Sequence, residues 1–391
     1  MSEQVRGRRV VVVGAGPMGL GAALGAAARG FDVTVLEAGE VGDALSRWGT
    51  TRFFTPLGMN LPAWLRAQLP SLSLPPDDAL LTGPELAERV LAPLARTPAL
   101  DGRVRTHHRV LAIGRARLTR GELSGHPLRA ERPFRLLVDT PEGERTIEAD
   151  RVLDASGIYG QPLWVGAGGL PARGERALAF RLTRDLGQLA RRTVHFSGRR
   201  VLLVGHGHSA ANALLVLDEL ARAAPGTQLT WAVRSPNARP CVEVADDPLP
   251  ERRSVVARAN QLAKDPPAHL KIERRASVEA LDTDGDALVV TLAGGRQLVV
   301  DEIVALTGYR PDTSIFGELE VELSPRTEGA LRLARAISGV SDCLSVPTVT
   351  PDDLASGEPG FHLIGHKSYG RARTFLLSTG YLQLASILER L

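Results

Sequence analysis

The chain has 391 residues, of which 43% are hydrophobic and 23% charged, with 40 glycines and 26 prolines. This balance is typical of a globular protein of about two domains, and it excludes long disorder, collagen and coiled coil. The 47 basic and 44 acidic residues leave a net charge of +3 and are dispersed along the chain, so we predict no nucleic-acid partner.

The first nucleotide-binding pattern begins close to the N-terminus. An apolar strand over 10–13 leads into Gly14-x-Gly16-x-x-Gly19, an alanine-rich helix and a second strand that is closed by Glu37. The glycines allow a tight turn and a close approach of the backbone to a pyrophosphate at the helix N-terminus, and the acid can accept hydrogen bonds from ribose hydroxyls. The pattern therefore predicts a site for FAD or NAD.

The second pattern repeats the first near the middle of the chain. A strand over 201–204 leads into Gly205-His206-Gly207-His208-Ser209-Ala210, then a helix and a strand over 229–233 that ends at Arg234. A carboxylate at this point would repel a 2′-phosphate, whereas a guanidinium attracts it in fork geometry. We predict an NADPH site, with a solvated surface role for Arg234 as the alternative.

The repetition extends beyond the two turns. Each half continues with a polar hairpin and then an apolar strand that ends at a corner of small residues, Ala155-Ser156-Gly157 in one half and Leu306-Thr307-Gly308 in the other. Two similar nucleotide units in one chain indicate two nucleotides and electron transfer between them.

The two cysteines and the uncharged run near the N-terminus further limit the class of protein that the sequence can encode. Cys241 and Cys343 lie 102 positions apart without a C-x-x-C motif, so we expect neither a dithiol motif nor a metal site. The run over 10–28 is uncharged, but its glycines and proline fit the nucleotide turn, so we predict no membrane partner. Two unpaired thiols favour a cytoplasmic protein.

These residues resemble the two-dinucleotide-binding-domain flavoproteins of the broad glutathione-reductase-like superfamily. The resemblance covers essentially the whole chain and rests on the two glycine turns and the two strand-end corners. It implies an α/β fold with two Rossmann-like three-layer nucleotide-binding domains. The FAD domain is discontinuous, over 1–165 and 301–391, and the NADPH domain over 166–300 is inserted into it.

Within that superfamily the chain resembles flavin-containing and N-hydroxylating monooxygenases more than disulfide reductases. Its second turn is of the type those monooxygenases carry at their NADPH site, and Asn60-Leu61-Pro62 looks like their Asn-Leu-Pro segment, whose Asn lies near the reactive edge of the flavin. The chain lacks their F-x-G-x-x-x-H motif before the second nucleotide strand. It also departs from the superfamily's C-terminal Gly-Asp, because His366 follows Gly365.

The resemblance implies an NADPH-dependent, FAD-containing monooxygenase that oxygenates a small molecule, an amine, thiol or carbonyl, through a flavin C4a-hydroperoxide. Asn60 is the predicted catalytic residue, as a donor to the peroxide. The alternative is an NADPH-dependent flavoprotein reductase that passes electrons to a quinone, a metal oxyanion or another acceptor. A third hypothesis is a regulator that binds both nucleotides without turnover. The sequence leaves monomer and homodimer open.

The residues assigned to the two cofactors lie in the turns, at the strand ends and in the C-terminal loop. Three of them follow the first unit, on a loop expected to cross the flavin, and the role of Lys367 stays open. The full set is Gly14, Gly16, Pro17, Met18, Gly19, Glu37, Arg47, Trp48, Arg52, Val110, Ser156, Gly157, Gly205, Gly207, His208, Ser209, Ala210, Arg234, Thr307, Gly308, Gly365, His366 and Arg373.

Overall fold

A computed structural model of the protein describes residues 8–69 and 74–391. Its strands are β1 (Arg9–Val13), β2 (Asp32–Leu36), β3 (Val104–Arg105), β4 (Arg109–Arg115), β5 (Phe134–Thr140), β6 (Gly143–Ala149), β7 (Arg151–Asp154), β8 (Leu182–Thr183), β9 (Arg200–Val204), β10 (Gln228–Ala232), β11 (Leu270–Glu273), β12 (Val278–Asp284), β13 (Ala287–Leu292), β14 (Gln297–Val300), β15 (Glu302–Ala305) and β16 (Phe361–Leu363). Its α-helices are α1 (Pro17–Ala27), α2 (Asp43–Ser46), α3 (Leu57–Asn60), α4 (Ala63–Arg66), α5 (Gly83–Leu86), α6 (Ala92–Ala95), α7 (Pro127–Glu131), α8 (Leu186–Arg191), α9 (His208–Ala223), α10 (Pro250–Lys264), α11 (Leu331–Ala336), α12 (His366–Tyr369) and α13 (Leu377–Leu388).

A five-stranded parallel sheet in the order β16-β7-β1-β2-β3 forms the centre of the first compact unit. The four valines of β1 are at most 5% exposed, as expected for a parallel strand that is covered on both faces. In register, Val13 lies beside Leu36 on one side and Asp154 on the other. The residues that follow these three strands therefore meet at one edge of the sheet, where such folds bind their ligands.

The second unit contains a five-stranded parallel sheet of matching order, β8-β15-β9-β10-β11. Its central strand β9 ends at Val204, which lies beside Ala232 of β10 and Ala305 of β15. Each unit also has a three-stranded antiparallel sheet, β4-β5-β6 in the first and β12-β13-β14 in the second. The two halves thus repeat the same plan, and the predicted α/β fold is confirmed.

The boundaries between the units differ from the predicted ones. They fall at 161/162 and 309/310 instead of the predicted 165/166 and 300/301. The segment 46–54, predicted within the first domain, belongs to the second unit. The second boundary lies later because β15 pairs with β8 and β9 in the sheet of the second unit, and Thr307 Oγ1 just after it donates to Leu163 O at 2.6 Å. Among the helices of the described residues, none is both long and apolar enough to cross a bilayer.

A buried ion triad links the β4-β5-β6 sheet to the chain just before β16. Glu358 is 2% exposed and accepts hydrogen bonds from Nε of Arg115 and Nη2 of Arg129, each at 2.8 Å. Burial acts to raise the pKa of Glu358. The hydrogen bonds that the carboxylate accepts from Arg129, from the backbone N–H of Glu320 and from Arg115 outweigh burial and hold this pKa below its ordinary value. Nothing in the local sequence pattern of these three residues indicates that they meet.

Candidate dinucleotide-binding sites

The first glycine turn is closed on the side of the sheet and open on the side of α1. Gly14 has φ +98°, a conformation that favours glycine, and a Cβ there would lie 2.9 Å from the carbonyl oxygen of Ala155. Gly16 caps α1 with φ −81°, and a Cβ built on it would meet nothing within 4 Å. This free space beside the N-terminus of an 11-residue helix fits a pyrophosphate.

The carboxylate of Glu37 points at the same turn. Its Oε2 accepts from the backbone N–H of Ala15 at 2.7 Å, and its Oε1 accepts from that of Gly39 at 2.8 Å. The backbone N–H of His108 donates to Glu37 O at 2.7 Å, which brings the start of β4 and Val110 toward this end of the sheet. The acid predicted to hold a ribose thus lies at the turn predicted to hold a pyrophosphate.

A buried cluster, which no sequence motif predicts, joins the ends of β7 and β16. Lys367, 1% exposed, donates from Nζ to Ser156 Oγ at 2.8 Å and lies 3.3 Å from Oδ2 of the fully buried Asp154. Ser156 Oγ donates in turn to Asp154 Oδ1 at 2.6 Å. Ser156 therefore lies between a buried cation and a buried anion, and the adjacent Gly157 has open space around it.

The C-terminal loop places His366 against aromatic rings. Its imidazole stacks on Phe375 with centroids 5.2 Å apart and meets Tyr159 edge-on at 6.1 Å. Burial lowers the pKa of His366 to about 4, so the ring is neutral near neutral pH. Met18 is 6% exposed and packs against Gly365, where a Cβ would overlap its side chain; its predicted contact with the cofactor stays a prediction.

The second glycine turn copies the first in backbone geometry. Gly205 has φ +119°, and a Cβ there would overlap Leu306 O, the corner residue that corresponds to Ala155. Gly207 caps α9 with φ −84°, and a Cβ on it would meet nothing within 4 Å. His208 and Ser209 begin the helix and are exposed, whereas Ala210 is completely buried. The second turn therefore offers the same space for a pyrophosphate.

Arg234, the predicted contact of the 2′-phosphate, follows the carboxyl end of β10, the strand beside β9. It is exposed, two residues beyond the end of β10, and has no ion pair within the described part of the chain. Arg252 is engaged elsewhere, because it donates two buried hydrogen bonds to the Asp247 carboxylate, both at 2.7 Å. Arg253 is exposed.

The segment 46–54 packs beside the second turn rather than in the first unit. The ring of Phe54 meets His208, the first residue of α9, edge-on at 5.2 Å. The carbonyl of Arg47 accepts a hydrogen bond from Gly187 N at 2.6 Å, and the ring of Trp48 stacks on Phe53 at 4.6 Å. Arg47, Trp48 and Arg52, which we predicted to lie on a loop across the flavin, therefore belong to the second unit.

Asn60 uses its side chain to close a local loop. It is 5% exposed, its Nδ2 donates to Thr55 O and its Oδ1 accepts from Thr55 Oγ1, both at 2.8 Å. Because Nδ2 carries two N–H groups, one remains for a ligand. The structural role is therefore present, and the predicted contact with the flavin stays a prediction.

The two cysteines and His195 have ordinary surroundings. Neither Cys241 nor Cys343 forms a disulfide, and burial raises the pKa of Cys241 to about 12. Its thiol is therefore protonated, and not nucleophilic, at neutral pH. His195, to which the sequence analysis assigned no role, pairs with Glu302 at 2.6 Å.

Two parallel sheets, each with an open glycine turn at its carboxyl edge, define the class of two-dinucleotide-binding proteins. The chain belongs to the pyridine nucleotide-disulphide oxidoreductase family, whose model matches residues 8–332. Proteins of this family generally use FAD and NAD(P)H, so the chain is an FAD- and NAD(P)H-dependent oxidoreductase. The predicted resemblance to two-domain flavoproteins is confirmed.

Solved structures of both reductases and monooxygenases share the fold. Bacillithiol disulfide reductase from Bacillus cereus is 17% identical, covers 98% of each chain and superposes with a TM-score of 0.68. T. acidophilum thioredoxin reductase and the ornithine N-hydroxylase of Kutzneria sp. 744 are each 18% identical, over 98% of this chain and 99% of theirs, with TM-scores of 0.62. A search of curated proteins finds no significant match.

Proposed function

We propose that the protein is an NADPH-dependent, FAD-containing monooxygenase that oxygenates a small molecule at an amine, a thiol or a carbonyl group. The assignment of two cofactors rests on the pair of glycine turns, each with free space at its second glycine. When bound, FAD supplies the oxygen chemistry and NADPH supplies the hydride. The similar ornithine N-hydroxylase, whose structure holds reduced FAD, NADP⁺ and L-ornithine, supports oxygenation.

The thiols of the chain favour oxygenation over a disulfide mechanism. Cys241 is buried and protonated, and the sequence has no C-x-x-C motif. A dithiol relay needs two neighbouring thiols, of which one ionises readily. We therefore expect that a bound flavin would pass its electrons to dioxygen or to a small acceptor without a protein disulfide.

In this proposal the first unit holds FAD. Backbone N–H groups at the start of α1 bind the pyrophosphate, and Glu37 binds the ribose. Ser156 and His366 follow the carboxyl ends of the neighbouring strands β7 and β16, and we assign both residues to FAD as well. The neutral imidazole of His366 offers a hydrogen bond without bringing a charge, and Asp154 balances the charge of Lys367.

The second unit holds NADPH, with the pyrophosphate at the start of α9 and the 2′-phosphate at Arg234. We assign the segment 46–54 to this cofactor as well, because Phe54 contacts His208 at the turn. Arg47 and Arg52 then add positive charge around an anionic dinucleotide. The two arginines and Trp48 keep their predicted role as cofactor residues, for NADPH instead of FAD.

The test of the function is the fate of the electrons. Purified protein should be yellow, release FAD rather than FMN, and be reduced by NADPH without oxygen. With dioxygen and substrate, a monooxygenase consumes NADPH, oxygen and substrate in equal amounts. Anaerobic turnover with a quinone or another acceptor would instead establish the reductase alternative, and negligible turnover with any acceptor would indicate a regulator.

Replacement of Arg234 by alanine should remove the preference for NADPH. A charge-assisted contact to the 2′-phosphate contributes on the order of 1.5–3 kcal/mol, which is about tenfold to a hundredfold in affinity. We therefore expect the KM for NADPH to rise by that factor and the KM for NADH to stay nearly constant. Arg222→Ala, an exposed arginine in the last turn of α9, is the matched control. Equal use of both nucleotides by the unmodified protein would make Arg234 a solvated surface residue.

Replacement of Asn60 by alanine should separate its two roles. If the free N–H of its amide serves the oxygen chemistry, the variant oxidises NADPH but releases hydrogen peroxide in place of the oxygenated product. Thr55→Val is the control, because it removes the Thr55 hydroxyl that donates to Asn60 Oδ1 while the asparagine stays in place. Loss of the buried bonds costs about 1–3 kcal/mol of stability in both variants. If Asn60→Ala couples NADPH oxidation to product formation as efficiently as Thr55→Val does, Asn60 has no role in the oxygen chemistry.

A further inference from the structure

The first unit contains a cavity on one side of α11. Among the predicted cofactor residues that the structure describes, Arg373 alone lines it. Its volume is about 670 Å³, and it is bounded by the region 324–341, which includes α11, and by the loop 368–374. Sites for small molecules typically have volumes of about 300–1,000 Å³. The cavity is therefore large enough for an organic ligand.

The charged side chains that line this cavity are all arginines. Four arginines line it, and none of the described lining residues is an aspartate or a glutamate. Arg371 lies 3.8 Å from the carboxylate of Glu328, which offsets part of its charge. The other three, Arg326, Arg335 and Arg373, are exposed and form no ion pair with any described residue. Three uncompensated guanidinium groups around one cavity attract an anion and offer it paired N–H donors.

The walls between the arginines are largely apolar. Leu331, Ala334 and Ile337 contribute one side, and Val340 and Ala372 contribute further carbon surface. An inorganic ion would leave this surface in contact with water, whereas an aliphatic or aromatic body would cover it at a gain of about 25 cal/mol per Å². The combination fits a ligand with a charged head and an apolar body.

A buried hydroxyl in the wall supports a ligand that also has polar atoms. Thr374 lines the cavity and is 6% exposed, and its Oγ1 has no hydrogen-bond partner. Buried hydroxyl groups in native proteins are nearly always hydrogen-bonded, because an unpaired one costs about 1–3 kcal/mol. A ligand oxygen that reaches this wall would satisfy it.

We propose that this cavity is a binding site for an organic anion, a carboxylate or a phosphate monoester on an apolar body. The guanidinium groups of Arg326 and Arg335 bind the head, and the carbon surface beside α11 binds the body. Anion binding at this cavity does not depend on the proposed oxygenation.

The test is calorimetric titration of the flavin-loaded protein at low ionic strength with four probes of one chain length, octanoate, octyl phosphate, octan-1-ol and octylamine. We expect saturable one-to-one binding of one or both anions, which distinguishes the carboxylate from the phosphate head, and no binding of the alcohol or the amine. Inorganic phosphate alone should bind much more weakly than octyl phosphate. Added salt should weaken the binding of the anions.

Variants locate the site. Arg326→Gln and Arg335→Gln should each weaken anion binding by about tenfold, because each removes a charge-assisted contact. Arg332→Gln on the same helix α11 is the matched control, because that exposed arginine pairs with Glu322 at 3.3 Å and does not line the cavity. All three arginines are exposed, so the fold should survive, and circular dichroism and flavin content check this. Absence of anion binding to the millimolar range, equal binding of octanol, or equal affinities in Arg335→Gln and Arg332→Gln would overturn the proposal.

Discussion

Replacement of Gly16 by alanine should leave the protein folded but unable to retain FAD. A methyl group at this position meets no atom within 4 Å, and φ −81° is an ordinary conformation for alanine, so folding should cost little. The same methyl group would stand where a pyrophosphate must approach the backbone. We expect affinity for FAD to fall by at least about a hundredfold, equivalent to about 2.7 kcal/mol, measured as flavin content and by titration of the apoprotein.

The second turn provides the matched variant for this experiment. Gly207→Ala introduces the same methyl group in the same backbone conformation, again without a neighbour within 4 Å. It should keep FAD and lose NADPH binding, the reverse of Gly16→Ala. Gly19→Ala is unsuitable, because its Cβ would overlap Gly14 O and the turn itself would be distorted. Full flavin content in Gly16→Ala would place FAD elsewhere.

The second large effect concerns stability. Glu358→Gln should lower the free energy of unfolding by about 3–5 kcal/mol. It leaves the buried guanidinium group of Arg115 without a carboxylate and that of Arg129 with only the more distant Glu320, at 3.7 Å. This loss is a large part of the roughly 5–15 kcal/mol that stabilises a typical domain. Urea denaturation measures the difference. Glu322→Gln, which removes an exposed partner of Arg332, is the control and should cost less than about 1 kcal/mol.

The pH dependence of this difference follows from the pKa of Glu358. That pKa is lower in the folded protein than its ordinary value of 4.5, so the carboxylate stabilises the fold fully above that ordinary value. The stabilisation is lost as the pH falls through the folded-state pKa. The difference between the unmodified protein and Glu358→Gln should therefore be constant near neutral pH and shrink in acid. A difference that grows in acid, or an effect no larger than that of Glu322→Gln, would show that the triad is not the source of the stability.

The sequence alone determined the features that depend on a few neighbouring residues. A nucleotide turn needs a positive φ at its first position and free space at its third, and both conditions require glycine. The roles of Gly14 and Gly16, and of Gly205 and Gly207, could therefore be predicted from the sequence. Strands covered on both faces are continuous apolar runs, which located β1 and β9. The order of these signals was sufficient to predict two nucleotide units and the family resemblance.

Only the tertiary structure decided which distant residues meet. Glu358 lies 243 positions from Arg115 and 229 from Arg129. In the sequence, each of the three is a charged residue in a segment without a motif, and nothing there indicates that it is buried. The segment 46–54 follows the first glycine unit along the chain but packs on the second, because its backbone and rings find partners at Gly187 and His208. The local hydrophobic pattern indicates whether a residue is buried. It does not indicate which residue, distant in the sequence, the folded chain places beside it.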